Sequence, residues 1–350
     1  MKHFIIPIFI PHYGCSHQCV FCNQQKITGA ATPVTAGEVT GIIEKYLARL
    51  TEKRHVEVAY YGGSFTALPL DIQRNLLLPA FKLLQAGTIH AIRLSTRPDC
   101  ISVEIVNHLL ALGVSVIEIG AQSLDDQVLQ AVCRGHTYND IVNAVAILQS
   151  FDIQYGLQFM VGLPKEDKTV LAITTQKAIE LKPHFVRIYP TVVIADTPLA
   201  QLYQQRKYQP LSLQTAVVRS AFMKFSFERA GIPVIRTGLQ ATQALADPQV
   251  VLGGPFHPAF GELVDAYLFN QMLAGFLEQF PVIYGSVVVH HHSKDTSKLR
   301  GLANGNVRQW RERYPRMVLR LTADSDSSGQ LAIEYQNTTY LIDPNMLTQC

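Results

Sequence analysis

Phe4-Ile5-Ile6-Pro7-Ile8-Phe9-Ile10 leads through Pro11-His12-Tyr13 into Gly14-Cys15-Ser16-His17-Gln18-Cys19-Val20-Phe21-Cys22-Asn23. An apolar run of strand length is followed by a tight loop carrying cysteines spaced Cys-x3-Cys-x2-Cys. Such a loop aims three thiolates at one point and leaves a fourth corner without a protein ligand. Iron-sulfur clusters are held by thiolates, and a 4Fe-4S cubane on three cysteines keeps one iron open. The spacing therefore predicts a 4Fe-4S cluster on Cys15, Cys19 and Cys22, seated at the carboxyl end of the first strand of a barrel. A structural zinc site could use the same cysteines with His12 or His17, although such sites usually come as two separated ligand pairs. A disulfide framework does not suit six cysteines in 350 residues. Cys100, Cys133 and Cys350 are scattered and read as packing or idle thiols. Thiolates gathered on a loop argue for a reducing compartment.

Composition agrees with a soluble cytoplasmic enzyme. A chain of 350 residues has room for one large α/β domain and a smaller appendage. The run after Met1-Lys2-His3 is short and broken by Pro7 and Pro11, so no signal peptide is expected. No apolar stretch of about 18 residues occurs, and no membrane span is expected. A formal net charge of +3 permits a polyanionic partner without requiring one.

Along the chain, β-rich runs alternate with amphipathic segments. Strands are expected at Phe4 to Ile10, Val56 to Tyr61, Ile89 to Ser95, Ser115 to Gly120, Ile153 to Met160 and Phe185 to Tyr189. Helices are expected at Thr35 to Thr51, Leu70 to Leu84, Ser102 to Leu112, Asp125 to Val132, Tyr138 to Ser150 and Thr169 to Leu181. This alternation implies right-handed βαβ units and a parallel sheet, and six units suit a partial (β/α)6 TIM-like barrel. The expected organisation is a core barrel with its extension over 1–252, a linker and helix over 253–281, and a small α+β domain over 282–350.

In such a barrel the chemistry sits on the loops after the strands. The second strand ends in Tyr60-Tyr61-Gly62-Gly63-Ser64-Phe65-Thr66, where two glycines either make a tight structural turn or let the backbone approach a ligand and hold the amino group of a bound amino acid. The third leads into Ser95-Thr96-Arg97-Pro98-Asp99, where Pro98 holds Arg97 extended. The fourth gives Glu118-Ile119-Gly120-Ala121-Gln122-Ser123 and, after a helix, Cys133-Arg134-Gly135-His136-Thr137. A glutamine can hydrogen-bond a ribose hydroxyl and an arginine can clamp a carboxylate; Ser123 alternatively reads as a helix cap and Arg134 as a surface residue. The fifth gives Gly162-Leu163-Pro164 and the sixth Arg187-Ile188-Tyr189-Pro190-Thr191, with Tyr208 further on.

The cysteine loop resembles the signature of the radical S-adenosylmethionine (SAM) superfamily, in which the open iron chelates the methionine moiety of SAM. The ordered series Tyr-Gly-Gly-Ser-Phe, Ser-Thr-Arg-Pro-Asp, Glu-Ile-Gly-Ala-Gln-Ser, Arg-Gly-His-Thr, Gly-Leu-Pro and Ile-Tyr-Pro-Thr resembles the radical-SAM domain of the Elongator catalytic subunit family, from His12 to Arg236. That resemblance implies cluster ligation by Cys15, Cys19 and Cys22 and SAM contacts from Gly62, Gly63, Ser64, Gln122 and Arg134. It implies electron donation into SAM by the cluster, giving methionine and a 5′-deoxyadenosyl radical, with flavodoxin or ferredoxin as the external donor. Members of the family add a carboxymethyl-type group to wobble uridine of tRNA with the help of an acetyltransferase domain. Here the cysteine spacing lacks the family's longer insertion, about a third of the chain follows Arg236, and no Arg/Gln-x-x-Gly-x-Gly/Ala pattern is found. The expectation is the radical engine without the acetyltransferase half. Glu118, Arg97, Tyr189 and Tyr208 are the candidate catalytic residues.

The tail reads as a KH-like module. Gly301-Leu302-Ala303-Asn304-Gly305 is a degenerate Gly-x-x-Gly turn entering a basic helix, the element that clamps a nucleic-acid backbone in KH domains. Lys298, Arg300, Arg308 and Arg311 are its candidate RNA contacts, against a plain solvated helix face. His290-His291-His292 reads as a strand end meeting solvent. Three substrates or roles follow: tRNA or another RNA, a small molecule as in the coproporphyrinogen-dehydrogenase-like branch, or a zinc-stapled RNA-binding module without catalysis.

Overall fold

The computed structural model describes residues 3–10, 14–15, 17–24, 26, 34–52, 54–240, 242 and 244–343. His12 and Cys350 lie outside them. The expected strands are all present: β1 (His3–Ile10), β2 (His55–Gly62), β3 (Ala91–Thr96), β4 (Val114–Gln122), β5 (Gln154–Val161) and β6 (Phe185–Pro190). Two short strands, β7 (Val193–Ile194) and β9 (Val251–Gly253), pair with each other. Between them β8 (Val234–Thr237) adds a seventh strand to the main sheet, whose order is β1-β2-β3-β4-β5-β6-β8 with every neighbour parallel. The result is a curled partial barrel with β1 and β8 as its edges.

Helices α1 (Ala36–Leu47), α2 (Leu70–Gln85), α3 (Val103–Ala111), α4 (Asp126–Ala131), α5 (Tyr138–Gln149), α6 (Lys168–Glu180), α7 (Pro198–Gln204) and α8 (Leu213–Arg229) follow the strands. Their starts are written locally. Thr35 and Thr137 form capping boxes with Glu38 and Asp140, and Ser102, Asp125, Asp167, Thr197 and Ser212 accept first-turn amides. The cap of α4 is Asp125, and Ser123 stands outside the helix with its hydroxyl accepting from the Asp125 amide at 3.3 Å.

Strand alternation separates two chemistries. Ile6, Ile8, Val56, Val58, Ile92, Leu94, Ile117, Ile119, Leu157, Val186 and Ile188 form one apolar cluster with the helices. The intervening residues face the barrel interior, and several are charged. Arg93 donates to Glu57 Oε2 from Nε (2.9 Å) and Nη2 (2.7 Å), and from Nη1 to Glu118 Oε1 at 2.9 Å. Arg187 Nη2 lies 2.9 Å from the same Glu118 oxygen. A buried row of alternating sign, Glu57-Arg93-Glu118-Arg187, thus crosses the barrel floor, each charge compensated by its neighbours.

The chain continues through α9 (Phe260–Leu277) into β10 (Gly285–His290), α10 (Thr296–Arg300), α11 (Gly305–Arg313), β11 (Met317–Thr322), β12 (Leu331–Tyr335) and β13 (Thr338–Ile342). These strands form a second sheet in the order β11-β10-β12-β13, in which β10 and β11 are parallel and joined by the helix pair. Its apolar face shares one core with α8 and α9, through Ala216, Val217, Phe225, Phe260, Phe276, Val287, Trp310, Ile333 and Tyr335.

Candidate functional site at the barrel mouth

The loop after β1 is pinned to the barrel rim by its apolar residues. Val20 donates its amide to Val132 O (3.1 Å) and accepts from Leu199 N (2.8 Å), while its side chain joins Val128, Val132, Leu163 and Leu199 in a small core that Phe21 flanks. Two glycines make close approach possible. A Cβ at Gly14 (φ +77°) would sit 2.3 Å from Ser64 O, and one at Gly135 (φ +77°) 2.5 Å from the His17 ring. The Arg-Gly-His sequence after α4 is therefore the surface on which the cysteine loop rests.

Cys19 is buried and Cys15 and Cys22 are half-buried. Burial, reinforced by Cys19, raises the Cys15 thiol above its ordinary range. Burial and the two neighbouring cysteines push Cys22 up to about 12. Arg134 opposes both shifts, and its Nη1 lies 3.4 Å from Cys19 Sγ. Cys15 and Cys22 are therefore unfavourable as bare thiolates, and together with Cys19 and the Arg134 guanidinium they suit a cationic centre, which deprotonates its thiol ligands outright. The donor set fits a cluster held by three thiolates.

The other walls come from the strand ends. Gly62 adopts φ +108° and its carbonyl accepts from Gln24 Nε2. Ser64 is fully buried; its hydroxyl meets Thr96 Oγ1 at 3.2 Å, and Thr96 in turn binds Thr66 Oγ1 at 2.5 Å. Ser64 thus braces the Gly62-Gly63 turn. Gln122 sits in the left-handed region (φ 70°) at an irregularity of β4. Its Nε2 donates to Gln158 Oε1 at 2.8 Å, which leaves Oε1 buried without a partner. Arg134 Nη2 donates to Gly120 O at 2.6 Å, and Arg134 Nε is likewise buried and unpartnered. Arg134 borders Cys19 and Gln122 approaches the same Gly120 backbone, so the two orphaned atoms leave hydrogen-bonding demand unmet at this mouth.

Arg97 works behind this surface: it clamps Asp99 through Nε (3.0 Å) and Nη2 (2.9 Å) and donates from Nη1 to the Arg134 carbonyl at 2.6 Å. Cys100, one of the scattered thiols, is in hydrogen-bonding contact with Ser64 and Arg97, so it belongs to the bracing of the site. His136 is kept neutral, its pKa driven down to about 3 by burial and by Arg134 and Arg97.

Glu118 and Tyr189 lie together on the barrel floor with Arg187, which donates to Tyr189 OH (3.1 Å) and Tyr61 OH (2.8 Å). Burial alone would lower the Arg187 pKa, but Tyr189, Glu118 and Tyr61 outweigh it and hold the guanidinium charged. Tyr208 stands apart: its hydroxyl donates to Gly162 O at 2.7 Å and ties down the turn after β5. Sequence reading missed Glu57, Arg93, Arg187 and Tyr61; the signal for the arginines was a charge inside a strand-like apolar run, as in Ala91-Ile92-Arg93-Leu94.

In the tail, Arg300, Arg308 and Arg311 are exposed around the 301–305 turn. Lys298 is engaged with Asp295 (3.0 Å) and Asp265 (3.7 Å). The three histidines are held separately: His290 by Asp324 at 2.9 Å, His291 by Thr296 at 2.9 Å, and His292 as an acceptor from the Lys294 amide at 3.1 Å. None of the described helices is long and apolar enough to cross a membrane.

The comparisons with known proteins agree with this geometry. The Radical SAM superfamily profile matches residues 9–173, and the Radical_SAM C-terminal domain profile matches residues 183–270. A tRNA uridine(34) acetyltransferase of Methanocaldococcus jannaschii is 25% identical over 306 residues, covering 75% of this chain and 55% of the relative. The protein of the same name from Methanocaldococcus infernus is 27% identical over 308 residues, covering 75% and 56%. The chain spans about half the length of these curated relatives. The structure of Methanocaldococcus infernus Elp3 with an N-terminal deletion superposes with a TM-score of 0.61 at 19% identity, over 76% of this chain and 62% of that one, and shares the fold. With its cysteine loop at the mouth of a partial parallel barrel, the chain belongs to the radical SAM superfamily of enzymes and resembles its Elongator-like branch.

Proposed function

We propose that this enzyme cleaves SAM reductively in order to modify a nucleoside of tRNA. The observation that carries the reading is the three-cysteine loop beside Arg134, whose Nη1 lies 3.4 Å from Cys19 Sγ, at a mouth edged by Gln122 and the Gly62-Gly63 turn. Cys15, Cys19 and Cys22 would hold a 4Fe-4S cluster, which would supply the electron for the reductive cleavage of SAM. The chain's own part is placement. The Gly62-Gly63 backbone, braced by Ser64 and Thr96, receives the amino group of SAM, and the unpartnered Nε of Arg134 supports its carboxylate. The free Oε1 of Gln122 accepts from a ribose hydroxyl. Val20 and Phe21 seal the loop against water from below. Arg97 holds Arg134 in place and is a positioning residue. An external one-electron donor of the flavodoxin or ferredoxin kind completes the reaction.

For the substrate, the names of the relatives and the exposed Arg300, Arg308 and Arg311 beside the 301–305 turn support tRNA. The test has two arms. Anaerobically reconstituted protein with dithionite and SAM should form 5′-deoxyadenosine, and Cys19→Ala should abolish it; survival of activity in that variant overturns the site. Bulk tRNA should bind with a salt-dependent affinity that falls in Arg300→Ala/Arg308→Ala, whereas affinity unchanged by that pair removes the RNA-binding role of the tail.

A further inference from the structure

At the opposite end of β1 and β2 from the cysteines, about 23 Å away along the strand, the sequence places a second group of metal-ligating side chains. The register sets His3 against His55, and alternation puts both on the same side of the sheet as Glu57. Glu57 is buried and its two oxygens have different partners. Oε2 takes both bonds from Arg93, at 2.9 and 2.7 Å. Oε1 faces His3 Nδ1 at 3.3 Å and His55 Nε2 at 3.4 Å.

Those spacings have a chemical meaning. An ion bonded to imidazole nitrogen and carboxylate oxygen at the usual zinc distances, with tetrahedral angles, separates neighbouring donors by about 3.3–3.5 Å. The two imidazole nitrogens lie within 4.8 Å of each other. The His3 side chain is 67% exposed, so its ring is free to close that edge. The His55 ring is steadied between those of His3 and His90, each with its centroid 4.7 Å away. Arg93 meanwhile plays the part of the outer partner that orients a ligating carboxylate.

We propose that His3, His55 and Glu57 bind a divalent ion of the zinc class at the base of the barrel, with water in the remaining corner, and that the ion staples edge strand β1 to β2. Two imidazoles and one carboxylate select zinc or cobalt over magnesium or calcium, which take oxygen donors.

The test uses the full chain with its cluster reconstituted anaerobically and titrated with cobalt(II). The wild-type protein should take up one equivalent with the visible bands of a tetrahedral nitrogen–oxygen field and without new thiolate charge-transfer absorption, and zinc should displace it. His3→Gln and His55→Gln should each weaken cobalt binding by more than the roughly 10- to 100-fold that loss of an outer partner costs, with iron content unchanged. Two results overturn the proposal. One is a wild-type protein that retains no cobalt beyond that held by the His3→Gln/His55→Gln double variant; the other is uptake accompanied by thiolate bands, which places the ion on the cysteines.

Discussion

Arg134 shows how much of this protein's chemistry depends on single side chains. Its guanidinium touches Cys19 Sγ and Gly120 O at once, and its own carbonyl is held by Arg97. A lysine ammonium is a point charge and cannot reproduce that fork. Arg134→Lys should keep the cluster but lose one charge-assisted hydrogen bond, worth roughly 1.5–3 kcal/mol, so SAM affinity should fall about 10- to 100-fold. Equilibrium binding of SAM to the reconstituted variant checks this, and unchanged affinity places Arg134 outside the SAM site. The barrel floor makes a second residue-level case. Glu118 is the shared counterion of Arg93 and Arg187, so Glu118→Gln leaves two buried guanidiniums with a single carboxylate, Glu57. Removing one partner of such a buried set costs roughly 3–5 kcal/mol, and urea denaturation should show a loss of that size. The cysteines, Gly62, Gln122 and Arg134 could be singled out as candidates because each stands in a short motif after a strand, and the structure places them at the strand ends. Glu57, Arg93 and Arg187 showed only as charges inside strand-like apolar runs, because the partner that compensates each is brought in from another strand.

Among the elements, the six strands and the helices between them were readable from periodicity and caps, and the exceptions have physical causes. Helix α8 turns Met223 and Phe227 to the barrel core and Ala216, Val217, Ala221 and Phe225 to the second core. With two apolar faces it has no single stripe to recognise. Strand β8 is a four-residue edge, too short for alternation to register. The β12–β13 hairpin turns on Gln336 and Asn337, both at positive φ (49° and 59°), without the Asn-Gly pair that announces such turns. The 301–305 turn shows the reverse: the expected second glycine is Asn304, and it holds the left-handed conformation (φ 60°) that asparagine tolerates. Asn304→Gly should therefore be nearly neutral, while Asn304→Ala should cost about 1–2 kcal/mol by chemical denaturation. The turn after β5 carries a pH-dependent element. Burial pushes the Glu166 carboxyl from 4.5 up to about 8, although it accepts the Gly162 amide at 2.6 Å. The folded chain then holds a proton that the unfolded chain releases. Its contribution is complete below about pH 4.5 and is lost as pH rises through about 8. Glu166→Gln keeps an acceptor for Gly162 without the titration. Its stability relative to wild type should rise between about pH 5 and about pH 9; a pH-independent difference in melting temperature removes Glu166 from this role.

At the scale of the whole molecule, the barrel and the second sheet are bound through α8, which contributes side chains to both apolar cores. Neither core can lose that helix and remain dry, so unfolding of one part exposes the other. Trp310, the only tryptophan of the chain, is 2% exposed and sits in the core of the second sheet. Its fluorescence reports that core alone, while far-ultraviolet circular dichroism is dominated by the barrel. If the shared helix couples the two parts, both signals should change in a single coincident thermal transition in the cluster-loaded protein. Phe276→Ala, which empties part of the second core, should lower that common midpoint for both probes. An early fluorescence transition with the dichroism midpoint unmoved would mean instead that the second sheet melts by itself, and that α8 keeps its place on the barrel without it.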